Sequence, residues 1–133
     1  MKDVVWSKIL SVGVDEIDDD HKRLIAIFNE LNHAVASGKS GEYRAAILNE
    51  LLKCTAWHFS HEERLMLKHD YPDRTQHKTA HEELVEAARI LQDRLATAET
   101  PVAEEEIVYL ERWLMEHIFT ADMKLGGFLA QAA

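Results

Sequence analysis

Two pairs of side chains have the spacing that metal ligands take on a helix. His58 and Glu62 are four residues apart, and so are His77 and His81. Residues at this spacing lie only ~40° from each other around an α-helix, so each pair can reach one centre from one helix. Imidazole is a common ligand for iron and other transition metals, and carboxylates can complete such a site. The spacings predict a metal site to which two helices each contribute a pair.

A third pair, His117 and Asp122, has a less regular spacing. The two are five residues apart, which places them ~140° from each other on a regular α-helix. Asp122 can therefore join the same centre only if its helix loosens or ends near Thr120. The pair Gly126-Gly127 downstream favours an ending. Taken alone, Asp122 would be interpreted as a solvated acid at a helix end.

Few helix breakers interrupt the chain, which has 5 glycines and 2 prolines in 133 residues. Apolar residues spaced by threes and fours predict four helices after an N-terminal arm of residues 1–17 that bends at Gly13. The predicted limits are Asp18 as N-cap to Ser37 for the first helix, Ser40 to about Lys68 for the second, Asp73 with Gln76 as a capping pair for the third, and Thr100-Pro101 to before Gly126-Gly127 for the fourth. Short loops imply an all-α, up-down-up-down antiparallel four-helix bundle.

The predicted topology brings the ionisable side chains together. In an antiparallel bundle, the starts of odd helices and the ends of even helices occupy the same end of the molecule. Buried ionisable groups are costly unless they are paired or bound to a metal. Seven such groups on inward faces should then meet in one layer: His21, His58, Glu62, His77, His81, His117 and Asp122.

The order of these motifs resembles the hemerythrin family over nearly the full length, and a single domain of residues 1–133 is most similar to its bacteriohemerythrin members. The resemblance is carried by Val12-Gly13-Val14, Ile17-Asp18, His21, His58-Phe59, Glu62, Tyr71-Pro72, His77, His81, Trp113-Leu114, His117-Ile118 and Asp122. One departure is Asp20, where many relatives have glutamine before the first ligand histidine. The resemblance places Asp20 next to the ligands and not among them, so the departure would affect the tuning of the site rather than its metal.

The resemblance implies a role for each ligand at a centre of two irons. His77, His81 and His117 would hold one iron and His21 and His58 the other, with Glu62, Asp122 and a solvent-derived oxo or hydroxo group as bridges. The two-histidine iron would keep an open position for reversible binding of dioxygen, so no enzyme is expected. The apolar pocket for oxygen would comprise Leu24, Phe59, Trp113, Leu114 and Ile118.

The remaining candidate ligands have simpler interpretations. His33, His61 and His69 are predicted to be surface residues, and His61 directly precedes Glu62, so it should point ~100° away from it. His69 suits a helix C-terminus. Cys54 lies one turn before His58 and is interpreted as a buried thiol of the core, because free cysteine behaves as a small hydrophobe.

The overall charge and composition exclude several functions. A net charge of -9 argues against nucleic acid, which requires a basic face. No apolar run is long enough for membrane insertion, and the absence of a signal segment together with one cysteine predicts a cytoplasmic protein. We expect a monomer whose partners are dioxygen and an oxygen-consuming enzyme as its recipient. Alternatives are oxygen or redox sensing, iron storage, nitric oxide handling, and a di-iron oxidase or peroxidase.

Overall fold

A computed structural model describes residues 3–97 and 104–132, and in this part of the chain the protein contains helices and no strands. After a 3-10 turn at Lys8–Leu10, the helices are α1 (Asp15–Ala36), α2 (Gly41–Lys68), α3 (Arg74–Thr97), α4 (Glu104–His117) and α5 (Met123–Ala132), with a π-helical turn at Ile118–Asp122 between the last two. Since α4, the π turn and α5 are continuous, they form one long fourth helix. The predicted four-helix bundle with an N-terminal arm is confirmed.

The first helix begins earlier than predicted. Helix α1 starts at Asp15, and Asp18 does not cap it. The Asp18 carboxylate instead accepts hydrogen bonds from the Val12 backbone N–H (2.9 Å) and the Ser11 hydroxyl (2.5 Å). Gly13, with φ +83°, turns the chain so that these donors face α1. The cap prediction was wrong because Asp18 anchors the arm rather than the helix start.

The predicted start of α2 is confirmed, whereas the predicted end of the last helix is wrong. The Ser40 side chain accepts a hydrogen bond from the Tyr43 N–H (3.1 Å), as an N-cap should. By contrast, the fourth helix does not end before Gly126-Gly127, because α5 runs through both. The predicted start at Thr100-Pro101 lies outside the described residues.

Gly126 is required by a close approach of two segments. A Cβ atom at this position would lie 2.0 Å from the Val12 carbonyl oxygen and 2.7 Å from the Val12 Cβ. The arm therefore packs directly against the backbone of α5, and this contact explains why a helix former is absent at position 126. No helix in the described part of the chain has the length and apolar composition needed to span a bilayer.

Two apolar clusters lie on either side of the layer of ligand residues. The larger cluster includes Leu24, Phe59, Leu84 and Leu114, and the smaller one packs α5 against the arm and the neighbouring helix ends. The smaller cluster comprises Val12, Ile17, Leu65, Met66, Tyr71, Leu125 and Leu129. On α1, for example, His21 lies between Ile17 of the smaller cluster and Leu24 of the larger. The polar layer is therefore enclosed by hydrophobic residues on both sides.

Candidate metal centre

The structure brings the seven predicted ligand side chains together in one layer. Their donor atoms form two sets that could each hold a metal ion, and within each set the atoms lie within 4.8 Å of one another. The first set contains Glu62, His77, His81, His117 and Asp122, and the second contains His21, His58, Glu62 and Asp122. All seven residues are buried, with exposed fractions between 0% and 7%. The two carboxylates belong to both sets.

Glu62 faces one set with each of its oxygens. Its Oε1 lies 3.0 Å from His77 Nε2 and 2.9 Å from His81 Nε2. Its Oε2 lies 3.2 Å from His58 Nε2 and 3.9 Å from His21 Nε2. A carboxylate in this orientation can bridge two ions.

Asp122 repeats this arrangement from the fourth helix. Its Oδ1 lies 3.1 Å from His77 Nε2 and 3.0 Å from His117 Nε2, and its Oδ2 lies 2.9 Å from His21 Nε2. The π turn makes this possible, because hydrogen bonds from i+5 to i widen the helix. The loosening near Thr120 is the first of the two routes predicted for Asp122; the ending is not observed. The Thr120 hydroxyl donates a hydrogen bond of 2.6 Å to the Glu116 carbonyl within this region.

The separations between donor atoms fit octahedral ions. Neighbouring donors around such an ion at ~2.1 Å are roughly 3 Å apart, and most of the nitrogen–oxygen distances lie between 2.9 and 3.2 Å. One set provides five donors and the other four. A further bridge from solvent would therefore complete the first octahedron and leave the second with one position open.

Several of these donor atoms are buried without a hydrogen-bond partner. They include His58 Nε2, Glu62 Oε2, His117 Nε2, His21 Nε2 and both carboxylate oxygens of Asp122. Leaving a buried polar atom unsatisfied costs about 1–3 kcal/mol each. Neutral imidazole nitrogens and carboxylate oxygens all offer lone pairs, so their convergence on one region fits a cation, which would satisfy all of them at once.

In the metal-free cluster, the histidines and the carboxylates shift each other's pKa values. Burial lowers the pKa of His58, but the charge of Glu62 and the hydrogen bond to Asp20 outweigh it and raise that pKa to about 10. Burial likewise lowers the pKa of His77, but the Asp122 and Glu62 carboxylates beside its Nε2 outweigh it and raise that pKa to about 9. Burial raises the pKa of the Glu62 and Asp122 carboxyls, yet the neighbouring histidines bring each below its usual value. Protons therefore occupy positions that a metal would take, and metal binding must release them.

His81 is oriented by packing. The Phe59 ring stacks on the His81 ring at 3.7 Å between centroids and 7° between planes. The His81 Nδ1 atom is buried without a hydrogen-bond partner, and the nearest carboxylate oxygen, Glu63 Oε2, is 3.8 Å away. Burial lowers the pKa of His81, which favours the neutral ring that a metal requires.

The five residues predicted to line an oxygen pocket lie together. Four are buried in the larger apolar cluster, and Trp113 is partly buried against it. The buried four are Leu24, Phe59, Leu114 and Ile118. Their assignment as an oxygen pocket remains a prediction.

Of the histidines predicted to lie on the surface, only His33 is exposed. Its Nε2 contacts Asp3 Oδ1 at 2.7 Å. His69 is half-buried and is the C-cap of α2. For His61 the prediction was wrong, because its side chain is only 10% exposed and is held between Asp20 and Glu16. The ring does turn away from Glu62, but it points toward α1 rather than into solvent.

Asp20 was predicted to lie next to the ligands, and the structure shows which of them it contacts. It is 6% exposed, and its Oδ2 accepts hydrogen bonds from Nδ1–H of His58 (2.8 Å) and Nδ1–H of His61 (2.7 Å). The signal in the sequence was its position, since Asp20 directly precedes His21. Cys54, by contrast, is partly buried against the larger cluster, as a core thiol would be.

Comparisons with known proteins agree with this geometry. Residues 12–129 match the family model described as the Hemerythrin HHE cation binding domain. The chain is similar to a hemerythrin-like protein of Naegleria gruberi (34% identity over 93% of this chain and 92% of the relative), a bacteriohemerythrin of Stenotrophomonas maltophilia (35%, 86% and 74%) and a myohemerythrin of Theromyzon tessulatum (30%, 93% and 92%). It also superposes on a crystal structure of wild-type hemerythrin with a TM-score of 0.87, at 28% identity and over 95% of this chain and 97% of the other.

Proposed function

This chain belongs to the hemerythrin family, and on that premise we propose that it binds dioxygen reversibly at a non-haem centre of two irons. The observation that carries the proposal is the orientation of Glu62 and Asp122. Each carboxylate directs one oxygen at the three-histidine set and the other at the two-histidine set. Bridging carboxylates are what a pair of ions requires and a single ion does not.

The donor chemistry of the site suits iron. Imidazole and carboxylate together bind iron in its common oxidation states, and an iron pair, when bound with an oxo or hydroxo bridge, supplies the two electrons needed for reversible oxygen binding. His77, His81 and His117 would hold one position, and His21 and His58 the other. Because Nδ1–H of His58 donates a hydrogen bond to Asp20, the nitrogen that would bind the metal is Nε2, once it has released its proton.

The unequal donor sets give the small ligand a place to bind. The two-histidine set provides one donor fewer than the three-histidine set. An open position on that side, beside the apolar pocket residues, would admit a diatomic molecule while excluding bulk water. Leu114 and Ile118 would contribute to this exclusion, since both are buried within one turn of His117.

The alternative functions can be compared by the site that each of them requires. A di-iron oxidase of the ferritin-like type uses four glutamates and two histidines, whereas this site has five histidines and two carboxylates. Oxygen or redox sensing would require an output domain that passes on the signal, and iron storage would require a large internal cavity. Nitric oxide handling would use the same open position. A nearly saturated, histidine-rich site favours binding over activation of oxygen, and therefore a carrier rather than an enzyme.

The cellular setting of this activity is part of the proposal. Residues 1–133 would act as one oxygen-binding domain, and we propose that it does so as a monomer, since a single chain supplies all seven ligands and no second copy is needed to form the site. We place it in the cytoplasm, where it would deliver oxygen to an oxygen-consuming enzyme.

Metal analysis and an oxygen titration test the proposal. Protein from iron-replete cells should contain two irons per chain, and the reduced form should gain a visible absorption band on oxygenation and lose it when oxygen is removed. A single zinc without an iron pair would refute the di-iron site. Irreversible consumption of oxygen by the iron-loaded protein would instead favour the oxidase.

A further inference from the structure

A chain of hydrogen bonds connects one ligand to the surface of α1. The buried Asp20 carboxylate accepts from Nδ1–H of His58 at 2.8 Å and from Nδ1–H of His61 at 2.7 Å, both through Oδ2. On its other side, Nε2 of His61 lies 2.9 Å from Glu16 Oε2. Since a carboxylate accepts and does not donate, each nitrogen in these contacts is the donor.

Burial increases steadily along this connection. The side chain of Glu16 is 57% exposed, that of His61 10% and that of Asp20 7%, while His58 is 1% exposed. A buried carboxylate is costly unless it is paired and hydrogen-bonded, and here it receives two charge-assisted bonds from α2. The Trp57 ring, 5.3 Å from the His61 ring between centroids, packs beside the middle of the chain.

We propose that Asp20 is a positioning residue for the iron position that His21 and His58 would hold, with His61 and Glu16 keeping Asp20 in place. This inference rests on the di-iron site proposed above. A carboxylate that accepts from the outer nitrogen of a ligand histidine fixes its tautomer and ring orientation and makes the inner nitrogen a stronger donor. The two-histidine position has the smaller donor set, so the quality of each donor matters most there.

Release of iron to a chelator distinguishes this role from a purely structural one. The variants are Asp20→Asn, which keeps the shape but loses the charge, and His61→Gln, which removes one support of Asp20. Asp19→Asn is the matched control, because Asp19 is adjacent and 72% exposed. Each iron-loaded protein is mixed with excess ferrous chelator, and the release of each of its two irons is followed over time.

We expect Asp20→Asn to release one of its two irons about 10–100-fold faster than the wild type, with the other iron released at the wild-type rate. His61→Gln should produce a smaller acceleration of the same phase, and Asp19→Asn none. Equal acceleration of both phases would indicate general loosening of the bundle and would overturn the inference. So would unchanged release in both Asp20→Asn and His61→Gln.

A double-mutant cycle provides a second readout that loss of stability does not imitate. His58→Ala should leave only the iron of the three-histidine set, so adding Asp20→Asn to it should not change the release of that remaining iron if Asp20 acts through His58. An equal acceleration in both backgrounds would contradict the positioning role. If the wild-type protein held no iron pair, the proposed function and this inference would both be refuted. If the wild type held the pair and the variants released iron at the wild-type rate, only the inference would be refuted.

Discussion

His58 and His81 stand on opposite sides of the candidate centre and are oriented by different forces. The Asp20 carboxylate accepts a hydrogen bond from the outer nitrogen of His58, whereas the His81 ring is stacked flat against Phe59 and its outer nitrogen has no hydrogen-bond partner. The pKa values of the metal-free protein differ as well. The charge of Glu62 and the hydrogen bond to Asp20 outweigh burial and raise the pKa of His58 to about 10, whereas burial lowers the pKa of His81. A hydrogen bond fixes both the tautomer and the angle of a ligand, while stacking fixes only the plane of its ring.

The largest effect should come from removing one of the two residues that both donor sets share. Glu62→Ala takes one donor from each set, so we expect loss of both irons, with iron binding weakened by more than ~100-fold, beyond the effect usual for outer residues. Iron per chain after gel filtration measures this. Glu50→Ala, an exposed position on the same helix, is the control. Two irons retained in Glu62→Ala would remove the bridging assignment.

Loss of one side alone should have an intermediate effect. His58→Ala reduces the four-donor set and leaves the five-donor set complete. We therefore expect about one iron per chain, held by His77, His81 and His117 with the two carboxylates. If His58→Ala lost both irons, neither position could hold iron without the other. The two sides would then differ in how their histidines are oriented but not in whether each can bind iron alone.

A smaller effect is expected at Leu114, which is three residues before His117 and buried in the apolar cluster. Leu114→Ala should lower the free energy of unfolding by about 2–5 kcal/mol and speed conversion of the oxygenated protein to its oxidised form, because water gains access to the open position. Decay of the visible band in air measures this rate. Leu110→Ala, similarly buried one turn earlier, should cost stability without changing the decay. Equal decay in both variants would make Leu114 a core residue only.

The smallest effect is the pH dependence of stability, which should differ between variants of His58 and His81. In the metal-free protein, the raised pKa of His58 contributes stability that is complete below its ordinary value of 6.5 and is lost as pH rises toward about 10. The melting temperature should therefore fall across this range, and less so in His58→Ala. His81→Ala should not reduce the fall, because the pKa of His81 is lowered. An equal fall in wild type and His58→Ala would contradict this linkage.

The same histidines determine the response of the loaded protein to acid. A metal requires neutral histidines, so protons compete with it increasingly as pH falls. The melting temperature of the loaded protein should thus exceed that of the metal-free protein by more at pH 9 than at pH 6. A difference independent of pH would mean that protons and metal do not share these positions.

The helices and the convergence of six of the seven side chains were predictable because both follow from regular periodicity, whereas Asp122 joins the others only through the π turn. His58 and Glu62, or His77 and His81, share a face on any α-helix, and antiparallel packing then brings the faces together. The roles of Asp18, Asp20 and His61 were not predictable in this way. Each depends on how far a side chain reaches to a neighbouring segment, which the helical period does not specify. The course of the chain past Gly126 was missed for a related reason, since that glycine serves the contact with Val12 rather than a helix end.

The π turn at Ile118–Asp122 has a consequence for transplanting the centre. It adds about one residue of winding to the fourth helix, so that Leu114 packs in the larger apolar cluster and Leu125 in the smaller one while Asp122 still reaches the ligand layer. A designer who copied the seven ligands onto four ideal α-helices would obtain six in place and the seventh rotated toward a neighbouring helix. Correcting this in an otherwise ideal scaffold requires an inserted residue rather than a substitution, because the error lies in the phase of the helix and not in its composition.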